Sequence, residues 1–214
     1  MRASATTLAS EISARELERL VSLLHAGRLS SRHLEIGTAA GGTLKELMRC
    51  YPNGQRPPFV VVDPMTYFPD QLSLVRRNLA SAGLDPDEVD FRISKSWAAF
   101  LAAERAGESY SFIFVDGSHK INHVTEDLAW TRLLEPGGLI CFHDYHPAFK
   151  GVVAAVDRFL NYYPTYKIID QIERLLVLRK IAVSKRREIS MWDLQRARIL
   201  NLVHQIEAGL RKKF

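Results

Sequence analysis

A chain of 214 residues, 47% hydrophobic and 25% charged, is long enough to bury the core of one α/β domain without disulfides, and this balance excludes a disordered or fibrous protein. No apolar run reaches the ~20 residues of a membrane span, MRASATTLAS lacks a signal core, and Cys50 and Cys141 stand in no metal or redox spacing; a reducing cytoplasm is the expected location. The net charge of +5 is uneven: Arg179 to Phe214 carries +7 and the remainder −2, a pattern that reads as a solvated basic face, with nucleic acid, anionic lipid or an acidic partner as alternatives.

Residues Ser13 to Ala26 open with Ser-x-x-Glu (Ser13, Glu16), a capping box, carry Leu17, Leu20, Val21 and Leu24 on one face, and stop at Gly27. This is a packing helix ahead of the first strand. Arg32 to Ile36 then reads as a strand, Gly37 to Gly42 as turn chemistry, and Leu44, Leu47 and Met48 restore helical spacing. Glycine at Gly37, Gly41 and Gly42 lets the backbone take positive φ and approach a ligand, at which the new helix aims its free N–H groups. The spacing Gly-x-x-x-Gly-Gly is not the G-x-G-x-x-G that seats a pyrophosphate, and Glu35 at the strand's end would repel a phosphate but suit a cation.

After the turn cluster PNGQRPP, Phe59 to Asp63 is a continuous apolar run, suited to a parallel strand buried on both faces. It ends in a carboxylate, Asp63, placed to accept both hydroxyls of a ribose. Phe68 to Ala82 reads as a helix stopped by Gly83, Val89 to Ile93 as a short strand, and Ser94-Lys95-Ser96-Trp97 as the start of another helix, with Ser96 able to cap it. Ser111 to Asp116 is the fourth buried strand, ending in DGSH. A helix over Ile121 to Leu134 follows, Glu135-Pro136-Gly137-Gly138 breaks it, and Leu139 to His143 is the fifth strand, ending in HDYH. Parallel neighbours would bring Asp116 and Asp144 to one carboxyl-end crevice, where open α/β sheets bind ligands.

Past Gly151 a helix runs to about Asn161, and Tyr166 to Asp170 and Arg174 to Arg179 are strands too closely spaced for a crossover helix, so they form an antiparallel hairpin. Met191 to Leu210, with Trp192, Ile199, Leu202, Val203 and Ile206 at helical spacing, is an amphipathic packing or dimer helix; a homo-oligomer would use it or the N-terminal helix. The chain thus divides into a body, 1–183, and a basic helical extension, 184–214.

E-I-G-T-A-A-G-G resembles motif I of the class I S-adenosylmethionine-dependent methyltransferases. That resemblance implies an α/β Rossmann-like sheet of seven strands, five parallel and a terminal antiparallel hairpin, with helices on both faces. It also implies S-adenosylmethionine contacts from Glu35, Gly37, Thr38, Ala39, Gly41, Thr43, Asp63 and Asp116. In the family an acid after the third strand often meets the adenine; Lys95 stands there instead, leaving Ser96, Trp97 or backbone for that contact. FIFVDGSHKINHVTEDLAWTRLLEPGGLICFHDYHPAFKGV resembles the bacterial group that includes the macrolide-sugar O-methyltransferases.

Carried over, that second resemblance makes Asp116 and Asp144 metal ligands and His119 the general base beside Asp116. His143 replaces the group's usual Glu, and imidazole suits zinc, manganese or iron where magnesium prefers oxygen. The expected activity is O-methylation of a small hydroxylated acceptor, a sugar or glycosylated metabolite, with a divalent metal such as Mg or Mn. The alternatives are a metal-independent enzyme with a His base and a nucleic-acid-binding protein on the same scaffold. Nucleic acid is disfavoured as a substrate by the absence of N-P-P-Y or D-P-P-Y after the fourth strand.

Overall fold

The β-branched and aromatic runs form a single seven-stranded sheet in the computed structural model, which describes residues 10–26, 29–52, 54–184 and 188–211. Gly27 and the basic residues Lys185, Arg186, Arg187, Lys212 and Lys213 lie outside the described residues. The elements follow as α1 (Ala14–Ala26), β1 (Arg32–Ile36), α2 (Gly42–Arg49), β2 (Phe59–Val62), α3 (Gln71–Ser81), β3 (Val89–Arg92), α4 (Ser96–Arg105) and β4 (Tyr110–Val115). Then come α5 (Ile121–Leu128), β5 (Leu134–Phe142), α6 (Lys150–Tyr162), β6 (Tyr166–Ile172), β7 (Leu175–Lys180) and α7 (Met191–Arg211). The strand order is β3-β2-β1-β4-β5-β7-β6, with the first five parallel and β7 antiparallel to both β5 and β6. The order reverses between β1 and β4, the crevice where doubly wound sheets take ligands.

Because helices cover both faces, alternate strand residues feed two cores. One holds Leu34, Val60, Ile113, Ile140 and Trp130, and the other Val61, Phe112, Phe114, Leu47 and Leu20. His33 belongs to the second side's packing: its Nε2 lies 2.5 Å from the Tyr51 hydroxyl, and burial lowers its pKa to about 4, so it is a neutral core residue.

The sequence places some boundaries differently. The helix expected over Ile121 to Leu134 is α-helical only to Leu128; Ala129–Leu133 tightens to a 3₁₀ turn and β5 begins at Leu134. Tyr110 pairs Leu134 and Phe112 pairs Leu139, so the Glu-Pro-Gly-Gly segment bulges out of the ladder, which accommodates a proline that cannot donate. The helix expected from Phe68 starts at Gln71, and Ser96 is its helix's first residue; Lys95 is the N-cap, with no side-chain cap bond.

α7 has one covered face and one open face. Leu194 and Ala197 make its buried face against the body, whereas Trp192, Ile199, Leu202, Val203 and Ile206 are exposed, Trp192 by 80%. Ahead of it, Lys180 Nζ donates to the Thr131 carbonyl at 2.7 Å, and the Tyr166 hydroxyl donates to Glu188 at 2.7 Å, pinning the segment that leads into α7. No described helix is long and apolar enough to cross a membrane.

Candidate active site

Gly37 ends β1 with φ +83, and a Cβ there would come within 2.8 Å of the Asp116 carbonyl carbon and the Gly117 Cα. Only glycine lets the β1 and β4 exits approach this closely. The turn continues through Ala39 (φ 43) to Gly41 (φ 83), the N-cap of α2. Two side chains from α3 hold it: Gln71 Nε2 donates to the Ala39 carbonyl at 3.0 Å and Asn78 Nδ2 to the Ala40 carbonyl at 2.9 Å. Asp63, buried at the tip of β2, accepts the Thr38 N–H on Oδ2 at 3.0 Å and the Met65 N–H on Oδ1 at 2.6 Å. With about four lone-pair sites on a carboxylate, it retains acceptor capacity toward a ligand.

These turns wall a cleft of about 640 Å³, within the range that holds a cofactor-sized molecule. Of the residues expected at a site, Gly37, Ala39, Asp63, Ser96, Asp116, His119, His143 and Asp144 line it. Glu35, Thr38 and Thr43 line a recess of about 30 Å³, room for one or two water-sized groups, that shares Gly37, Ala39 and Asp116 with the cleft. Gly41 acts beneath the loop, against Val75. Trp97 stacks on Phe100 with ring centroids 5.3 Å apart and is outside the cleft lining, so its ring belongs to the core.

Glu35 is 1% exposed, and neither of its carboxylate oxygens nor the Thr38 hydroxyl has a hydrogen-bond partner. Burial pushes its pKa up to about 8, and the charges of Asp116 and Asp63 add to the rise; the Thr38 hydroxyl stands close enough to oppose it without meeting hydrogen-bond geometry. A buried carboxyl without a donor in the protein is matched to a donor or cation arriving from outside.

Asp116, His143 and Asp144 offer ligand atoms all within 4.8 Å of one another. His143 Nδ1 lies 2.9 Å from Asp116 Oδ1 and 3.5 Å from Asp144 Oδ2. Burial of the imidazole opposes its protonation, but the Asp116 hydrogen bond and the charges of Asp116, Asp144 and Glu16 outweigh that and raise its pKa. His119 Nε2 is 2.8 Å from Asp144 Oδ2, and its ring packs on Phe149 with centroids 4.5 Å apart. Asp144 takes a left-handed φ of 57, and its buried Oδ1 accepts no hydrogen bond, with the Arg174 guanidinium 3.6 Å away.

Glu16 and Asp127 are among the contributors that sequence reasoning misses. Glu16 completes the capping box on α1, with Oε2 accepting the Ser13 N–H at 2.9 Å, but its other oxygen accepts the Arg174 N–H at 2.8 Å, and the carboxylate reaches within 3.5 Å of His143 Nε2. Those hydrogen bonds hold its carboxyl below the ordinary range despite burial. Asp127, on α5, is 3% exposed, lines the cleft and has its pKa pushed up to about 7 by burial. A partner 158 positions away in sequence leaves no local signal for the first; the second sits one residue off an amphipathic pattern.

A family model described as a methyltransferase domain matches residues 34–145, more than half of the chain. Among solved structures, the chain is similar to the O-methyltransferase TomG from Streptomyces achromogenes involved in tomaymycin synthesis, in complex with S-adenosylmethionine, at 20% identity and a TM-score of 0.64 over 80% of this chain and 82% of that one. It is similar to the O-methyltransferase from Bacillus cereus in complex with S-adenosylhomocysteine, at 19% identity and a TM-score of 0.62 over 79% and 83%. It is also similar to a TDP-rhamnose 3'-O-methyltransferase of calicheamicin biosynthesis, at 14% identity and a TM-score of 0.61 over 77% of each chain. No curated protein matches the chain in sequence. At these identities the solved structures establish the fold. The family model makes the chain a member of the methyltransferase domain family.

Proposed function

We propose that the protein methylates a hydroxyl group of a small acceptor, a sugar or glycosylated metabolite, with S-adenosylmethionine as donor. The observation that carries the reading is the meeting, in one cleft, of the Gly37 turn and Asp63 with a His119 Nε2 that lies 2.8 Å from Asp144 Oδ2. When bound, the donor supplies a methyl group on a positively charged sulfur and presents no phosphate. Glu35 and the Thr38 hydroxyl, both without partners, suit its ammonium end. Asp63 suits its ribose hydroxyls.

The chain's own part in the transfer is alignment and proton removal. In the displacement the acceptor oxygen forms a bond to the methyl carbon, the carbon–sulfur bond breaks with its electron pair going to sulfur, and the acceptor's proton must leave. With His119 Nε2 held on Asp144, Nδ1 is the nitrogen that accepts that proton. Phe149 behind the ring keeps it turned toward the cleft.

The donor set of Asp116, His143 and Asp144 fits a divalent cation: Asp144 Oδ1 is a buried oxygen without a hydrogen bond, and Glu16 stands behind the imidazole as carboxylates stand behind metal-bound histidines. When bound there, a divalent metal lowers the pKa of a coordinated hydroxyl. The metal-independent alternative rests on His119 and His143, whose ring nitrogens lie 2.8 Å from Asp144 and 2.9 Å from Asp116. Release of S-adenosylhomocysteine is measured against a panel of hydroxylated sugars and nucleotide sugars, before and after chelation. Loss on chelation with recovery on added Mg or Mn supports the metal; unchanged turnover supports the His base alone. No turnover with any hydroxylated acceptor, alongside methylation of an amine, would overturn the reading.

A further inference from the structure

The outward side of α7 plays no part in the site described above. Leu194 and Ala197 are buried against the body, while Trp192, Ile199, Leu202, Val203 and Ile206 are exposed, Trp192 by 80% and the others by 43% to 64%. At 3.6 residues per turn those five share about 100° of arc, with Gln195 among them. Arg196 and Arg198, both exposed, border the arc on opposite sides. Arg198 also comes within 4.0 Å of Glu126, a residue of the cleft wall, so this side of the molecule adjoins the cleft.

A row of large apolar side chains along about 30 Å of helix calls for a cover, and charge decides which. Lys185, Arg186 and Arg187 precede α7 in sequence, and Arg211, Lys212 and Lys213 end and follow it, in a segment of net +7 on a remainder of −2. Two copies of the helix, laid parallel or antiparallel, bring a basic run of one against a basic run of the other. Nucleic acid suits the cations, but its phosphates gain nothing from an arc of Trp, Ile, Leu and Val. An anionic bilayer meets both requirements, because a negatively charged layer lies over an apolar one. Arginines at the edges of the arc reach headgroups while their apolar neighbours enter the acyl boundary. The tryptophan ring, apolar with a polar N–H, suits that depth.

We propose that the outward face of α7 binds the surface of an anionic phospholipid membrane, with Trp192, Ile199, Val203 and Ile206 inserted and Arg196 and Arg198 at the headgroups. The helix is not long and apolar enough to cross, so it lies in the plane of the interface. Leu194 and Ala197 keep it attached to the body, and the cleft stands beside the bilayer.

The test floats the full chain with vesicles of phosphatidylcholine alone or with about one-third phosphatidylglycerol. Binding is expected to be at least about tenfold tighter on the anionic vesicles at low ionic strength, and to weaken as salt is added. Of the three tryptophans, Trp97 and Trp130 pack in the core, so a blue shift of emission on vesicle binding reports Trp192. The triple variant Trp192→Ser, Ile199→Ser, Ile206→Ser changes exposed positions only; it should keep the wild-type Tm and lose vesicle binding by about 10- to 100-fold. Should that variant fail to fold, the presence or absence of the blue shift in wild type decides. Equal binding to both vesicle types, no binding, or undiminished binding by the variant overturns the proposal. A dimer in sedimentation that the variant dissociates and that does not bind vesicles overturns it in favour of a second copy. Tighter binding to duplex DNA than to anionic vesicles overturns it in favour of nucleic acid.

Discussion

Replacing Glu35 with glutamine removes the one buried carboxyl at the donor turn whose two oxygens have no partner in the protein. Its folded-state pKa, about 8, stands above the ordinary 4.5, so its contribution to stability is fully present below 4.5 and is lost as pH rises toward 8. Within that window the folded chain keeps a proton that the unfolded chain has released, and stability falls by about 1.4 kcal/mol per pH unit. From pH 6.0 to 7.5 this amounts to about 2 kcal/mol, or roughly 4–8 °C in Tm for a domain of this size. Asp127 titrates in the same window, but it is present in both proteins and cancels. Thermal unfolding of ligand-free wild type and Glu35→Gln at the two pH values should show wild type losing about 4–8 °C more than the variant. Equal losses would mean that Glu35 is hydrated or paired, and the argument for a cation-receptive recess would fail.

Further outcomes follow from the same geometry. Gly37→Ala combines a left-handed φ with a backbone collision at Asp116 and Gly117, and should cost about 2–4 kcal/mol in urea unfolding. An unchanged midpoint would show that the two turns can separate. Glu16→Ala leaves the part-buried N–H groups of Ser13 and Arg174 without their acceptor and should cost about 1–2 kcal/mol; Glu16→Gln, which keeps one acceptor oxygen, should cost less. His119→Ala should lower turnover by about 10²- to 10⁴-fold while leaving the dissociation constant for S-adenosylhomocysteine within twofold, and parallel losses of both would remove His119 from the proton-transfer role.

The parts of the fold legible in the sequence are those whose signal is local. Phe59 to Asp63 and Ser111 to Asp116 announce buried parallel strands with acids at their ends because burial on both faces forbids alternation. The short gap after β6 forces a hairpin because no crossover fits it. What stayed hidden depends on partners far away in sequence. Gln71 and Asn78 look like ordinary helix polars until α3 packs over the donor turn. Glu16 reads as a capping residue, and only the fold brings the β6–β7 turn and His143 to its carboxylate. Trp97 and Trp130 are alike as letters; the helix phase sends one onto Phe100 and aims the nitrogen of the other at Ser96. On α7 Leu194 and Ala197 face the body while Trp192, Ile199, Leu202, Val203 and Ile206 stay open, a division that helical spacing alone does not assign.

Calorimetric titration of S-adenosylhomocysteine into wild type and Asp63→Ala tests the central claim most directly. Saturable binding at one site per chain, weakened at least about tenfold when Asp63 is truncated, is the predicted result. Absence of binding to wild type, together with tight binding of a phosphorylated dinucleotide, would contradict the account.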